Sequence, residues 1–97
     1  MPGIVIVDIE VLDPVPYEDY KRLASAAIAA YGGRYLVRGG KNEVLYGDWM
    51  PKRLVVLEFE SVARAVECFH SPQYEEAKRV RDTCARVNMV VVEGLAG

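Results

Sequence analysis

The sequence predicts an α+β fold in which strand, helix, strand, strand, helix and strand follow one another and form one sheet with both helices on a single face. Three observations lead to this prediction. The stretches Gly3–Leu12 and Arg53–Glu60 alternate residues between two faces, as β-strands do. Apolar residues recur at helical spacing after each of these strands. Between them, glycine pairs bracket a short strand that carries arginine at alternate positions.

The first strand, Gly3–Leu12, is apolar on both faces in its first half, which is typical of a central strand. Asp13 is predicted to cap the following helix, because Pro14 suits the first helical turn. Gly32 stands where a helix ends in a left-handed residue. The residues that recur at helical spacing between these ends are Tyr17, Tyr20, Leu23, Ala24, Ala27, Ile28 and Tyr31.

The arginine-bearing strand, Gly33–Val37, follows this helix and is closed by a glycine pair. The short apolar run Glu43–Tyr46 is interpreted as one arm of an extension between two main strands, with Trp49 near its end. The next main strand, Arg53–Glu60, carries two apolar residues and then two acids on one face, as the first strand does. This repeated pattern predicts that the two strands are neighbours, parallel to each other in the middle of the sheet.

The second half of the chain is predicted to hold two helical segments and one strand. Ser61 caps the first segment, which is interrupted at His70. Ser71 precedes a proline and caps the second segment. A last strand over Asn88–Glu93 follows, and residues 94–97 form a short tail.

Composition narrows the classes of function. The chain has 97 residues, of which 52% are hydrophobic, so we expect residues 1–97 to form one domain with one core. A net charge of −2 offers no basic field, so nucleic acid and anionic membranes are not the expected partners. The start of the chain reads as a strand and no window is long enough to span a membrane, so a soluble cytoplasmic protein is predicted.

The cysteines and the only histidine do not form a metal-ligand pattern. Cys68 and Cys84 both fall on predicted helix, and their spacing to His70 fits no zinc motif. We interpret the two cysteines as reduced structural thiols and expect no metal and no cofactor. His70 is interpreted as a capping or solvent-facing residue at a helix end; the alternatives are a proton shuttle and a haem ligand.

One face of the predicted sheet has nothing to cover it. The helices cover the face that carries Val5, Val7 and Ile9, and no other segment is left for the opposite face. A soluble monomer seldom leaves such an apolar patch exposed, so we expect a homodimer in which two copies pack sheet against sheet. The uncovered apolar residues are Ile4, Ile6, Leu36, Leu54 and Val56.

The register of the strands places charged residues on the uncovered face. If Leu36 lies opposite Val56 in an antiparallel hairpin, Arg34 lies opposite Glu58. In the predicted parallel pair, Asp8 then lies beside Glu58. We therefore expect Arg34, Glu58 and Asp8 to form a charged row across three strands, facing a cavity between the sheet and its partner.

Pieces that span nearly the whole chain match a known group: Val7–Ile9, Asp13–Pro14 with Tyr17 and Tyr20, Ala29–Gly40, Gly47–Trp49 with Pro51 and Arg53, Leu57–Phe59, and Ser71–Pro72 with Tyr74. In these pieces the chain resembles the small bacterial proteins collected as domain-of-unknown-function family 1330, which belong to the dimeric α/β-barrel superfamily. The resemblance implies a ferredoxin-like antiparallel βαββαβ sheet with helices on one face, a dimer that closes a barrel, and no established activity. The wider superfamily includes cofactor-free monooxygenases, isomerases and haem enzymes, so the fold alone does not select a chemistry.

Five residues are the candidates for ligand binding: Asp8, Arg34, Arg38, Trp49 and Glu58. The same register places Arg38 opposite Leu54, on the uncovered face. The arginines either clamp a carboxylate or phosphate, or only neutralise the acids at a dimer seam. Asp8 and Glu58 either supply a general base or act as ion-pair partners. Trp49 either stacks on a ligand or anchors the dimer.

Two hypotheses on function follow from these alternatives. In the first, the protein is a cofactor-independent enzyme or binder that acts on a small anionic molecule through these five residues. In the second, it is a non-catalytic interaction or structural module whose charges only specify the dimer. The sequence does not name a substrate or a reaction.

Overall fold

The structure, a computed structural model, describes residues 1–95 of the chain. The predicted tail, residues 94–97, therefore lies partly outside the described residues. Seven elements follow one another: β1 (Gly3–Val11), α1 (Pro14–Ala30), β2 (Arg34–Arg38), β3 (Arg53–Phe59), α2 (Val62–Phe69), α3 (Pro72–Cys84) and β4 (Ala85–Glu93).

The four strands form one antiparallel sheet in the order β2-β3-β1-β4. The prediction that β1 and β3 run parallel is therefore wrong, although their adjacency in the middle of the sheet is confirmed. The crossover through α1 makes β2 run parallel to β1, and β3 then reverses direction to pair with β2. Since β3 is the antiparallel neighbour of β2, it must also be antiparallel to β1.

The helix ends form as the sequence predicts. Asp13 Oδ1 accepts a hydrogen bond of 3.1 Å from the Val15 amide, and Ser61 Oγ accepts one of 3.0 Å from Arg64. Ser71 Oγ accepts from Tyr74 N at 3.1 Å and donates to a carbonyl of α2 at 2.6 Å, so it joins α2 to α3. These side chains satisfy amides that a helix leaves unpaired at its first turn.

All three helices pack on one face of the sheet, and the core lies between the two layers. Alternate residues of β1 and β3 are buried there, because successive side chains of a strand point to opposite faces. Aromatic rings from the helices meet edge to face, as in the Phe69–Tyr74 pair at 4.8 Å between centroids. The largest fully buried side chains are Tyr74, Phe59, Leu57, Val5, Cys68 and Cys84.

Two segments differ from the prediction. Residues 39–52, expected to include a strand-like arm, contain no strand and form an irregular extension between β2 and β3. Strand β4 begins at Ala85, three residues before the predicted start, because it pairs with β1 along its full length. The carbonyl of Cys84 accepts hydrogen bonds from the amides of Leu12 and Asp13 at 2.8 and 3.1 Å, so α3 passes directly into β4.

Strand β2 contains an irregularity at Leu36. Tyr35 lies opposite Leu57, but the next residue on β3 is paired with Val37. Leu36 is thus an extra residue, and a bulge of this kind reverses which face each following side chain occupies. The predicted pairing of Leu36 with Val56 is wrong for this reason.

Candidate functional site

The face of the sheet opposite the helices carries apolar side chains in the middle and charged side chains at both ends. Val90 and Val92 of β4 remain 56% and 50% exposed. Ile6 lies between Val90 and Val56 in the register, so this apolar band crosses β4, β1 and β3. We call this surface the bare face.

Arg34 and Glu58 form an ion pair at one end of the bare face. They lie directly opposite each other in the β2–β3 register, as predicted. Arg34 donates from Nε and Nη2 to Glu58 Oε1 at 2.7 and 2.6 Å. The Arg34 side chain is nevertheless 70% exposed. Its guanidinium therefore still has donors directed to the surface.

Asp8 binds the irregular extension at the other end of the bare face. The indole Nε1 of Trp49 donates to Asp8 Oδ2 at 2.8 Å, and the amide of Lys52 donates to Asp8 Oδ1 at 3.1 Å. Both carboxylate oxygens are thus occupied by the extension. Asp8 holds Trp49 beside the apolar band and fixes the point where the chain enters β3.

The predicted charged row of Arg34, Glu58 and Asp8 does not form. In the antiparallel register Ile4 lies opposite Glu58, and Asp8 lies opposite Leu54. Four residues along a strand separate the two acids by about 13 Å. The reversal of β3 moves its acids to the end of the bare face that is remote from Asp8.

Arg38 lies on the helix side of the sheet, so its predicted place on the bare face is wrong. The bulge in β2 places it opposite Val55 rather than Leu54. Its Nη2 donates to Ser25 Oγ at 3.0 Å, and its guanidinium carbon lies 4.4 Å from the centroid of the Tyr35 ring. Arg38 thus belongs to a different surface from the other four candidates.

A small, partly open cavity of about 30 Å³ lies between α1 and the sheet. Aromatic and aliphatic side chains line most of it, including Tyr17, Tyr20 and Leu57. Three cationic side chains also line it: Lys21, Arg38 and Arg53. None of the described residues that line the cavity is acidic. The cavity therefore joins an apolar interior to a positively charged wall.

Arg53 is the functional candidate that the sequence reasoning missed. Its Nε atom is buried and has no hydrogen-bond partner within residues 1–95. The guanidinium lies against Gly39, where a Cβ atom would collide with Nη1. A signal was present, since Arg53 alternates with Val55 and Leu57 on the strand face that packs under the helices.

Two tyrosines form a hydrogen-bonded pair behind the cavity. Tyr20 and Tyr74 share a hydrogen bond of 2.9 Å between their hydroxyls, and Arg81 Nη1 donates to Tyr74 OH at 3.2 Å. Burial raises the pKa of Tyr20 far above its usual value, and burial also raises the pKa of Tyr74. Both phenols therefore stay neutral across the physiological range.

The open groove beside Arg34 has the opposite charge balance. Arg34 is its only cationic side chain, and Glu58 and Glu60 also line it. An anion placed there would meet one guanidinium already bound to a carboxylate and a second carboxylate nearby. This groove is less suited to an anion than the cavity between α1 and the sheet is.

The remaining titratable groups form no second centre. Within residues 1–95, no three His, Cys, Asp or Glu side chains come together as metal ligands would. His70 ends α2 and is exposed, as predicted. Cys68 and Cys84 are buried and free, and burial raises the pKa of both thiols. No helix within that range has the length and apolarity needed to cross a bilayer.

Solved structures with the same fold are known from several bacteria. A protein of unknown function from Rhodopseudomonas palustris is 20% identical, with 99% of this chain and 84% of that chain covered and a TM-score of 0.79. A dimeric ferredoxin-like protein of unknown function from Jannaschia sp. is 14% identical over 97% and 100% of the two chains, with a TM-score of 0.64. A cofactor-independent oxygenase from Streptomyces nogalater is 8% identical over 99% and 93%, with a TM-score of 0.59.

These similarities confirm the class of protein, a ferredoxin-like α+β fold with all helices on one face of an antiparallel sheet. The chain belongs to the family described as domain of unknown function 1330 (DUF1330), whose family model matches residues 2–95. No curated protein matches the chain. At these identities the solved structures establish the fold and leave the chemistry open.

Proposed function

We propose that this chain works as one domain of a homodimeric α/β barrel that binds a small organic anion, with the two copies packed sheet to sheet. The observation that carries the dimer is the bare face. Its valines on β4 are at least half exposed, although they lie beside a central strand of the sheet. The dimeric Jannaschia protein of the same fold supports the same arrangement.

The size of the bare face is compatible with a stable dimer. Four strands at about 4.8 Å spacing and about 25 Å length give a face of roughly 500 Å² in projection. The extension adds apolar side chains next to it, since Leu45, Tyr46 and Met50 are 91%, 97% and 71% exposed. Together these surfaces approach the roughly 800 Å² per partner that stable interfaces bury.

The charged groups of the bare face support the role of specifying the dimer. Glu58 is bound by Arg34, and both oxygens of Asp8 are bound by the extension. Charged groups that are already paired and hydrogen-bonded cost less to bury at an interface than unpaired charges do. This pairing favours the alternative hypothesis for four of the candidates. Asp8, Arg34, Trp49 and Glu58 would then specify the dimer and have no catalytic role.

The anion is supported by the positive charge on the helix side of the sheet. Arg38 and Arg53 line one cavity that no acidic residue lines. The molecule's net charge is −2, so this local excess of positive charge is not a consequence of composition. We further propose a cytoplasmic location, where the two free cysteines would remain reduced.

Analytical ultracentrifugation tests the dimer, and a panel of small anions tests the binding. We expect twice the mass of one chain, and half that mass for a Val90→Asp variant at the same concentration. Val15→Asp is the matched control, because Val15 is 78% exposed on α1, away from the bare face. At least one mono-anion, di-anion or phosphate ester should raise Tm, and a panel without any such effect would refute the binding role.

A further inference from the structure

The geometry points to the partly open cavity between α1 and the sheet as a binding site for a short-chain monocarboxylate, held by Arg53 and Arg38. This inference rests on the proposed anion-binding function and assigns it a place and a ligand class. It does not depend on the dimer, because the cavity lies on the helix side of the sheet.

Arg53 carries a buried donor that has no acceptor within residues 1–95. Buried donors nearly always have a partner, and burying a charged one without a partner is strongly unfavourable. Among the side-chain nitrogen and oxygen atoms of residues 1–95, Arg53 Nε is the one that is buried and has no hydrogen-bond partner. A carboxylate accepts from Nε and an Nη of one arginine with two parallel bonds, which makes it the matching acceptor.

The charge around Arg53 also favours an anion. Lys21 is neutralised by Glu18 at 2.8 Å, but within residues 1–95 Arg38 has only the neutral partners Ser25 and Tyr35. Arg38 lies opposite Val55, and Arg53 lies two residues from Val55 on the same face. Diagonal neighbours of this kind have side chains starting about 7–8 Å apart, a span that one carboxylate bridges between two guanidinium groups.

The backbone beside Arg53 leaves space for its side chain. Gly39 adopts a φ of +71° and leaves no Cβ where the Arg53 guanidinium lies. The Gly39 amide also donates to the Leu54 carbonyl at 2.8 Å, which fixes this end of the β2–β3 hairpin. The glycine thus makes room for the guanidinium beside the β2–β3 hairpin, where a Cβ atom would displace it.

The size and lining of the cavity limit the class of ligand that it can bind. A volume of about 30 Å³ is above the roughly 10–15 Å³ that one water needs, and it is small for a typical metabolite. The remaining lining is aromatic and aliphatic, including Tyr17, Ile28 and Phe69. The enclosed space admits the carboxylate group against Arg53, and because the lining residue Arg38 is exposed, a short apolar body can extend towards the opening at that edge. Dianions such as phosphate do not match the apolar wall.

Propionate is the probe, and propionamide is its uncharged counterpart of nearly the same shape. In wild-type protein, an ¹⁵N-edited titration follows the Arg53 Nε–H resonance, which is assigned by its absence in Arg53→Lys. We expect a saturable shift with propionate and none with propionamide. Calorimetry should show at least tenfold weaker binding to Arg53→Met and unchanged binding to Arg22→Met, whose arginine is 71% exposed on α1.

Several results would overturn the inference. They are the absence of a saturable shift in wild-type protein, equal binding of propionamide, equal binding of phosphate or chloride, and unchanged binding in Arg53→Met. The first of these readouts uses wild-type protein, so it decides the matter even if Arg53→Met does not fold. If a different anion from the panel binds and depends on Arg34 instead, the proposed function stands and this site is refuted.

Discussion

Asp8 and Glu58 lie on the same face of the sheet but at opposite ends of it, and each is bound by a different partner. Asp8 accepts hydrogen bonds from Trp49 and Lys52, whereas Glu58 accepts both of its bonds from Arg34. Their separation follows from the antiparallel pairing of β1 and β3. The apolar band between them is therefore flanked by two independent polar clusters.

Removal of the Asp8 carboxylate should release the extension. We expect Asp8→Ala to lower the free energy of unfolding by about 1–2 kcal/mol, because the Trp49 indole and the Lys52 amide lose their acceptor. Urea denaturation measures the change, and hydrogen exchange should accelerate in residues 41–52. Asp19→Ala is the control, since its only ion pair is exposed and 3.8 Å long. Equal effects of the two substitutions would contradict the anchoring role.

A methyl group at Gly39 should be more damaging than one at Gly47. Both glycines have positive φ, +71° and +93°, so alanine introduces backbone strain at each. Only at Gly39 does the new Cβ also collide with Arg53. Because the atoms that the Cβ would meet belong to the end of a flexible side chain, we expect Gly39→Ala to displace the Arg53 guanidinium and to destabilise by about 0.5 kcal/mol more than Gly47→Ala. Denaturation midpoints of the two variants provide the comparison, and an equal loss would show that Arg53 is not confined by Gly39.

The tyrosine pair should respond asymmetrically to loss of each hydroxyl. Tyr20→Phe leaves Tyr74 OH bound by Arg81, so we expect a loss of about 1 kcal/mol. Tyr74→Phe removes the partner of both Tyr20 and Arg81, so we expect about 2 kcal/mol. Thermal unfolding of both variants tests this order. If Tyr20→Phe were the more damaging change, the role of Arg81 would be wrong.

Stability should decline in alkali because of the buried thiol of Cys68. Burial raises the pKa of Cys68 from 9.0 to about 11. The unfolded chain therefore loses this proton at a lower pH than the folded protein does. The protonated Cys68 thiol therefore stabilises the folded protein fully below pH 9.0. This stabilisation, about 1–2 kcal/mol, is lost as the pH rises towards about 11. Urea denaturation across this range should show that the free energy of unfolding declines less steeply with pH in Cys68→Ala than in the native protein. An identical decline in both would exclude the Cys68 thiol as the cause.

Local signals in the sequence predicted the elements well. The caps at Asp13, Ser61 and Ser71 depend on side chains next to the helices that they begin, so nearby residues were enough to identify them. The pairing of Arg34 with Glu58 was also predicted, because it lies before the bulge in β2. Each of these features is determined over a short distance along the chain.

Features that depend on strand direction and register were not predicted correctly. The repeat of two apolar residues and two acids in β1 and β3 is compatible with either direction, and only the connection through α1 decides it. The bulge at Leu36 has no signature in the sequence, yet it moves Arg38 to the other face of the sheet. The cavity that Arg38 shares with Arg53 was missed for the same reason.

The most direct test of the account is the mass of the native protein at micromolar concentration, measured by sedimentation equilibrium beside the Val90→Asp variant. We expect a dimer for the native chain, and a folded single chain with an unchanged far-UV spectrum for the variant. A native protein that sediments as a single chain at every concentration would contradict it.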